Sequence, residues 1–180
     1  MSQLFPEAVA PPVELAEAKG VVCIRPAGAS DVESLSVYFT GLSTTSRNKR
    51  FMGARADLAV VAAECVAKAG HPDHFTLLAE FRQEGRHRII GETHYAYDAA
   101  ARHGEFAISV ADAFQRMGLG LQMMNAMETR AIDLGHEMIA GETARTNAEM
   151  RGLARKAGYS DTGLGDWQSV HLAKRLSHPR

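Results

Sequence analysis

GEFAISVADAFQRMGLG, residues 104–120, is the stretch on which the fold turns. Residues 106–110 read as a short buried strand. A few positions later the chain reaches Gln115-Arg116-Met117-Gly118-Leu119-Gly120 and passes directly into a helical pattern. A strand, a glycine-bearing turn and a helix start together make an anion site. The first turn of a helix leaves backbone N–H groups unpaired and carries a partial positive charge. The ligand expected there is a phosphate.

Two phosphate-binding patterns are excluded by the residues present. A P-loop requires Lys followed by Ser or Thr after its last glycine, whereas Gly120 is followed by Leu121 and Gln122. A dinucleotide fingerprint requires a small third residue where Met123 stands, and an acid about 20 residues further on.

Downstream of the turn, residues 118–134 carry Leu121, Met124, Ala131 and Leu134 on one side of a helix that Gly135 ends. A strand at 136–140, a helix at 147–157 stopped by Gly158, and strands at 159–162 and 167–173 complete the chain. Upstream, residues 74–81, 88–97 and 105–110 are three antiparallel strands joined by polar, glycine-containing links. Before them, residues 57–68 predict a helix with Gly70 as its stop. A first strand at 21–25 is followed by Ser30-Asp31-Val32-Glu33, a capping box in which Ser30 and Glu33 satisfy free N–H groups of a helix running to about Gly41. Residues 43–55 are polar and basic around Phe51 and read as a solvated loop. Pro6, Pro11 and Pro12 deny the first twenty residues a continuous helix or a central strand, so residues 1–20 read as an extension and 21–176 as one domain.

Composition sets the class. The 180 residues are 46% hydrophobic and 23% charged with a formal net charge of −1, which gives no argument for nucleic acid or membrane binding. Cys23 and Cys65 stand far apart with no C-x-x-C pair, as expected of buried free thiols in a reducing cytoplasm. No secretory signal or long apolar run is found, and the eight His show no ligand spacing, so neither a membrane span nor a catalytic metal is expected.

Gln115, Gly118 and Gly120 resemble the acyl-CoA pyrophosphate loop of the GNAT superfamily of N-acetyltransferases, Gln/Arg-x-x-Gly-x-Gly/Ala. A second segment, Asn147-Ala148-Glu149-Met150-Arg151-Gly152-Leu153-Ala154-Arg155-Lys156-Ala157-Gly158-Tyr159, resembles the family pattern that follows the next strand. Two such motifs in the right order, each behind the right strand, imply the GNAT fold. That fold is α+β, with a mixed, mostly antiparallel central sheet of about seven strands flanked by four helices, in the order β-α-α-β-β-β-α-β-α-β-β. The resemblance is greatest to the bacterial protein lysine acetyltransferase branch. It implies acetyl-CoA as co-substrate and an amine acceptor, a protein lysine or a small molecule, with homodimerisation left open.

The same resemblance implies the site. Gln115, Arg116, Met117, Gly118, Leu119 and Gly120 would hold the pyrophosphate. Ile108, Ser109 and Val110 would pair with pantetheine, and a backbone N–H near Ser109 or Val110 would meet the oxyanion. Asn147 would orient the pantetheine arm. An amine arrives as ammonium and must lose a proton before attacking a thioester, so a base is required. Glu105, matching the strand start of the lysine acetyltransferases, is the first candidate, and Glu92 on the preceding strand is the second. Where many relatives place a tyrosine that protonates the leaving thiolate, this chain has Ala154. A thiol's ordinary pKa of about 8.5 still allows CoA to leave unaided, at some loss of rate. Tyr159 matches an aromatic core position. A domain that senses acyl-CoA without catalysis is the alternative.

Overall fold

A computed structural model of the chain describes residues 12–15, 20–53, 57–68, 71 and 73–177. Eight strands form one sheet: β1 (Val13–Leu15), β2 (Gly20–Pro26), β3 (His74–Gln83), β4 (Arg86–Asp98), β5 (His103–Val110), β6 (Met138–Ala144), β7 (Ser160–Asp161) and β8 (Ser169–Arg175). They lie in the order β1-β2-β3-β4-β5-β6-β8-β7. Five α-helices are present among the described residues: α1 (Val32–Gly41), α2 (Thr44–Arg50), α3 (Leu58–Ala67), α4 (Leu119–Asp133) and α5 (Ala148–Lys156). None of the described helices is long and apolar enough to cross a membrane.

Alternation along the strands gives the sheet two apolar faces. On one, Leu78 of β3 packs with Leu35, Tyr38 and Phe39 of α1 and with Ala62, Cys65 and Val66 of α3. On the other, Leu77, Ile90 and Tyr95 pack under Met123, Met124 and Met127 of α4, with Ala154 of α5 and Val170 and Leu172 of β8. The methionines are therefore core filling. Cys23 and Cys65 are buried free thiols, and burial pushes Cys65 up to about 12.

The pairing of β5 positions the site. It is antiparallel to β4 along its whole length, from His103 opposite Asp98 to Val110 opposite Gly91. To β6 it is parallel and pairs only at Gly104 with Ile139 and Glu105 with Ala140. Beyond Glu105 the two strands part. The Phe106 ring lies against Gly141 and packs on Tyr159, filling the base of the gap on the α4 side. Residues 106–110 of β5 therefore face an opening instead of a neighbouring strand.

Several expectations are corrected. Val13–Leu15 pairs antiparallel with β2 as an edge strand, which is where a proline-flanked segment can sit. The strand count thus rises to eight. Residues 44–50 form α2 instead of a loop, capped by the Ser43 hydroxyl, which accepts the Ser46 N–H at 3.1 Å. The expected Ser30–Glu33 capping box is absent. Ser30 lies inside a 3-10 turn, and the Asp31 carboxylate accepts the Gly28 N–H at 2.7 Å while pairing with Arg25 at 2.7 Å. Helix α3 is capped by Asp57, whose carboxylate accepts the Ala59 and Val60 N–H groups, whereas Gly70 lies outside the described residues. Strand β6 begins two residues later than expected because His136 is drawn into a stack on Tyr97 and a 2.8 Å hydrogen bond with the Tyr95 hydroxyl.

Candidate active site

The opening between β5 and β6 leads into a cavity of about 730 Å³. Its walls come from β5, β6, β8, the loop before α4, the start of α4, one side of α5, and α2. On β5, Phe106, Ile108 and Val110 lean on the α4 core, while the alternate position Ser109 meets Tyr38 of α1 at 2.9 Å. Ile108, Ser109 and Val110, the residues expected to pair with pantetheine, all line the cavity. With Leu121 and Leu153 they give it a partly apolar wall.

Gln115, Arg116, Gly118 and Gly120 also line the cavity. Arg116 and Gly118 have φ of +64° and +82°, and this left-handed turning swings the chain from the 3-10 turn Asp112–Phe114 into α4, with Gly118 as its N-cap. The N-cap supplies no side-chain acceptor, so the orphan N–H groups of the first turn remain for a ligand. Met117 and Leu119 of the predicted loop send their side chains into the core, so any contact they make with a ligand is through their backbone. Gly120 answers a second demand: a Cβ there would come within 3.0 Å of Leu153, so α4 and α5 can pack this closely because the side chain is missing.

The two candidate bases separate sharply. Glu105 stands where β5 and β6 part, lines the cavity, and is 73% exposed, with His103 Nε2 at 3.7 Å. Glu92 neither faces the cleft nor sits on a wet surface. It is fully buried, with the Arg50 Nε donating to Oε2 at 3.0 Å and Nη2 to Oε1 at 2.8 Å. Arg50 is itself nearly buried, stacked over Phe51 and Phe39. Both carboxylate oxygens are engaged by Arg50, and Glu92 is not among the residues that line the cavity.

Asn147 lines the cavity, but its amide is engaged within the protein. Oδ1 accepts the Met150 N–H as N-cap of α5 at 3.2 Å, and Nδ2 donates to Thr143 at 3.2 Å. Ala154 is fully buried in the core. Tyr159 is a core residue too, and its burial pushes the hydroxyl's pKa far up. No tyrosine lines the cavity among the described residues. His94 and His136 belong to sheet packing, bonded to Thr76 and Tyr95. No group of three or more His, Cys, Asp or Glu among the described residues is placed to hold a metal ion.

Other residues at the site were not singled out from sequence. The Asp112 carboxylate accepts the Ser43 N–H at 3.0 Å and the Ser43 and Ser46 hydroxyls at 2.8 Å, and Gln115 donates to Ser46 at 3.2 Å, so α2 is tied to the loop. Glu142 and His171, 3.5 Å apart, line the cavity from β6 and β8. Their place depends on a pairing between distant strands that no local pattern displays.

Residues 45–159, spanning strand, loop and both flanking helices of this cleft, match the model of the Acetyltransferase (GNAT) family. The chain belongs to that family. As a GNAT acyltransferase it is 24% identical over 138 residues to an acetyltransferase of Pseudomonas aeruginosa, covering 77% of this chain and 74% of the relative. Its fold is similar to the GNAT domain of S. lividans PAT, with a TM-score of 0.80, 22% identity, and coverage of 96% of this chain and 99% of that one. It is also similar to the spermidine N-acetyltransferase of Vibrio cholerae solved with CoA and spermine, with a TM-score of 0.68, 14% identity, and coverage of 86% and 95%. The GNAT sheet of this chain keeps the mixed, mostly antiparallel plan, with one parallel pair, β5 with β6, at the cleft.

Proposed function

We propose that the chain transfers an acetyl group from acetyl-CoA to a primary amine by direct attack in a ternary complex, with a protein lysine as the acceptor. The observation that carries this reading is the position of Glu105, an exposed carboxylate at the point where β5 and β6 part, on the wall of the cavity that the glycine loop also lines. The unpaired stretch of β5 offers backbone groups to the amide arm of pantetheine, and Ile108, Val110, Leu121 and Leu153 suit its apolar segments. The α4 N-terminus beside Arg116 suits a pyrophosphate.

In this reading the ammonium of the acceptor gives a proton to Glu105, which passes it to solvent. The freed amine attacks the thioester carbonyl carbon; the C–N bond forms, the C–S bond breaks, and the sulfur leaves as thiolate. The second proton of the amine goes to the thiolate or to water. With no tyrosine on the cavity wall among the described residues, departure relies on the ordinary acidity of the thiol. The acidic, open side of the cavity, with Glu105 and Glu142 both exposed, suits a cationic side chain presented by a larger partner.

Release of free thiol from acetyl-CoA tests this directly, using lysine-bearing proteins and small amines as acceptors. Glu105→Gln is expected to keep acetyl-CoA affinity and to cut turnover by about 10²–10⁴-fold. An unchanged rate removes Glu105 from the base role. Turnover confined to small amines replaces the protein acceptor, and binding without release across the whole panel makes the chain a sensor of acyl-CoA.

A further inference from the structure

Lys49 of α2 and Glu149 of α5 are 100 residues apart in sequence, yet their side chains meet at 3.1 Å, and both line the cavity. The pair therefore closes a bridge across the cavity from one flank to the other. Lys49 is also close to the loop before α4. It lies one helical turn beyond Ser46, whose hydroxyl accepts from Gln115 at 3.2 Å, so the ammonium and the loop share one side of the cavity. On the opposite flank Glu149 stands in the first turn of α5, and Arg116 of the loop lies within electrostatic reach of it. An anionic carboxylate thus sits among the cations that an incoming phosphate would seek.

We propose that Lys49 binds a phosphate of the acetyl-CoA co-substrate, and that Glu149 is a built-in competitor which holds Lys49 in the free protein and yields it when the phosphate arrives. The inference rests on the reading of the cavity as an acetyl-CoA site. Exchange is physically easy. The pair is 38% and 61% exposed, and an ion pair so open to water contributes little. A phosphate oxygen offers Lys49 the same charge-assisted bond with more charge behind it. The exchange also removes the one ion pair between α2 and α5 among the described residues, so binding and opening of the bridge are the same event.

Calorimetric titration of the full chain with acetyl-CoA, dephospho-CoA and S-acetylpantetheine, which carries no phosphate, tests the proposal. Lys49→Ala is expected to weaken acetyl-CoA binding about tenfold and to flatten its dependence on salt. Glu149→Gln is expected to tighten it by roughly threefold, a direction that damage to the fold does not produce. In the double variant the gain from Glu149→Gln is expected to vanish. Neither variant should alter S-acetylpantetheine binding. If dephospho-CoA loses its sensitivity to Lys49→Ala, the contact is to the 3′-phosphate; if it keeps it, to the pyrophosphate. Either outcome supports the proposal. Unchanged acetyl-CoA affinity in both single variants, or an equal change in S-acetylpantetheine binding, overturns it while leaving the cavity reading intact. Failure of the unaltered chain to bind acetyl-CoA overturns both.

Discussion

Arg50 and Glu92 form a bidentate ion pair, at 3.0 and 2.8 Å, in which the carboxylate has no exposed surface at all. The pair joins α2 to β4, directly behind Ser109 of the open strand, whose hydroxyl lies 3.4 Å from Glu92. It fixes the helix that carries Ser46 and Lys49 relative to the sheet that carries Glu105. Removing one partner leaves the other charged and buried. Arg50→Ala is expected to lower unfolding free energy in denaturant titration by about 3–5 kcal/mol, whereas Arg50→Met with Glu92→Met is expected to recover most of that loss. A double variant as unstable as the single one would contradict this account.

Gly120 and Leu153 set the spacing of the two helices that flank the loop. Gly120→Ala places a methyl 3.0 Å from Leu153 Cδ2, so the Leu153 side chain, packed between α4 and α5, must give by a few tenths of an ångström. The expected cost is about 1–3 kcal/mol in thermal or denaturant unfolding. Adding Leu153→Ala should relieve the clash, bringing the double variant closer to Leu153→Ala alone than additivity allows. Additive losses would show that the contact is slack.

Glu80 is expected to govern part of the acid stability. Burial alone would raise its pKa, but hydrogen bonds from His87, Arg82 and Arg25 outweigh burial and hold it down at about 2. A carboxyl with a lower pKa in the folded than in the unfolded state stabilises fully above its ordinary value of about 4.3 and loses that contribution as pH falls toward 2. Unfolding free energy measured across that interval should therefore fall more steeply in the unaltered chain than in Glu80→Gln. Parallel curves would remove Glu80 from the account.

Asp112 is the anchor of α2 at the loop, accepting from Ser43 and Ser46. Asp112→Ala is expected to cost about 0.3–1 kcal/mol, the usual range for a lost anion near a helix start. Amide hydrogen exchange should quicken in Thr44–Arg50 and stay unchanged in β3 and β4. Uniform exchange in both regions would show that Arg50–Glu92 alone holds the helix.

Most of this architecture was legible from local patterns. The strand-turn-helix unit and, apart from β1 and α2, the order of elements depend on nearby residues, and there sequence and structure agree. The loop residues Gln115, Arg116, Gly118 and Gly120 line the cavity. What escaped depends on long-range partners. Helix α2 shows no apolar periodicity, because the side chain it turns inward is Arg50, acceptable only beside a Glu92 that lies 42 positions away. Glu92 looked like a candidate base for the same reason, since its partner was invisible. Asn147, expected to orient pantetheine, lines the cavity, and its amide also takes the N-cap role usual for an Asn just before a helix. Glu142 and His171 come together only through the register of β6 with β8.

The structure of the chain bound to acetyl-CoA tests the central claim most directly. The account predicts the pyrophosphate at the loop Gln115–Gly120, pantetheine along Ile108, Ser109 and Val110, and the thioester on the Glu105 side of the gap between β5 and β6. Acetyl-CoA bound away from that gap, or with its thioester turned from Glu105, would contradict it.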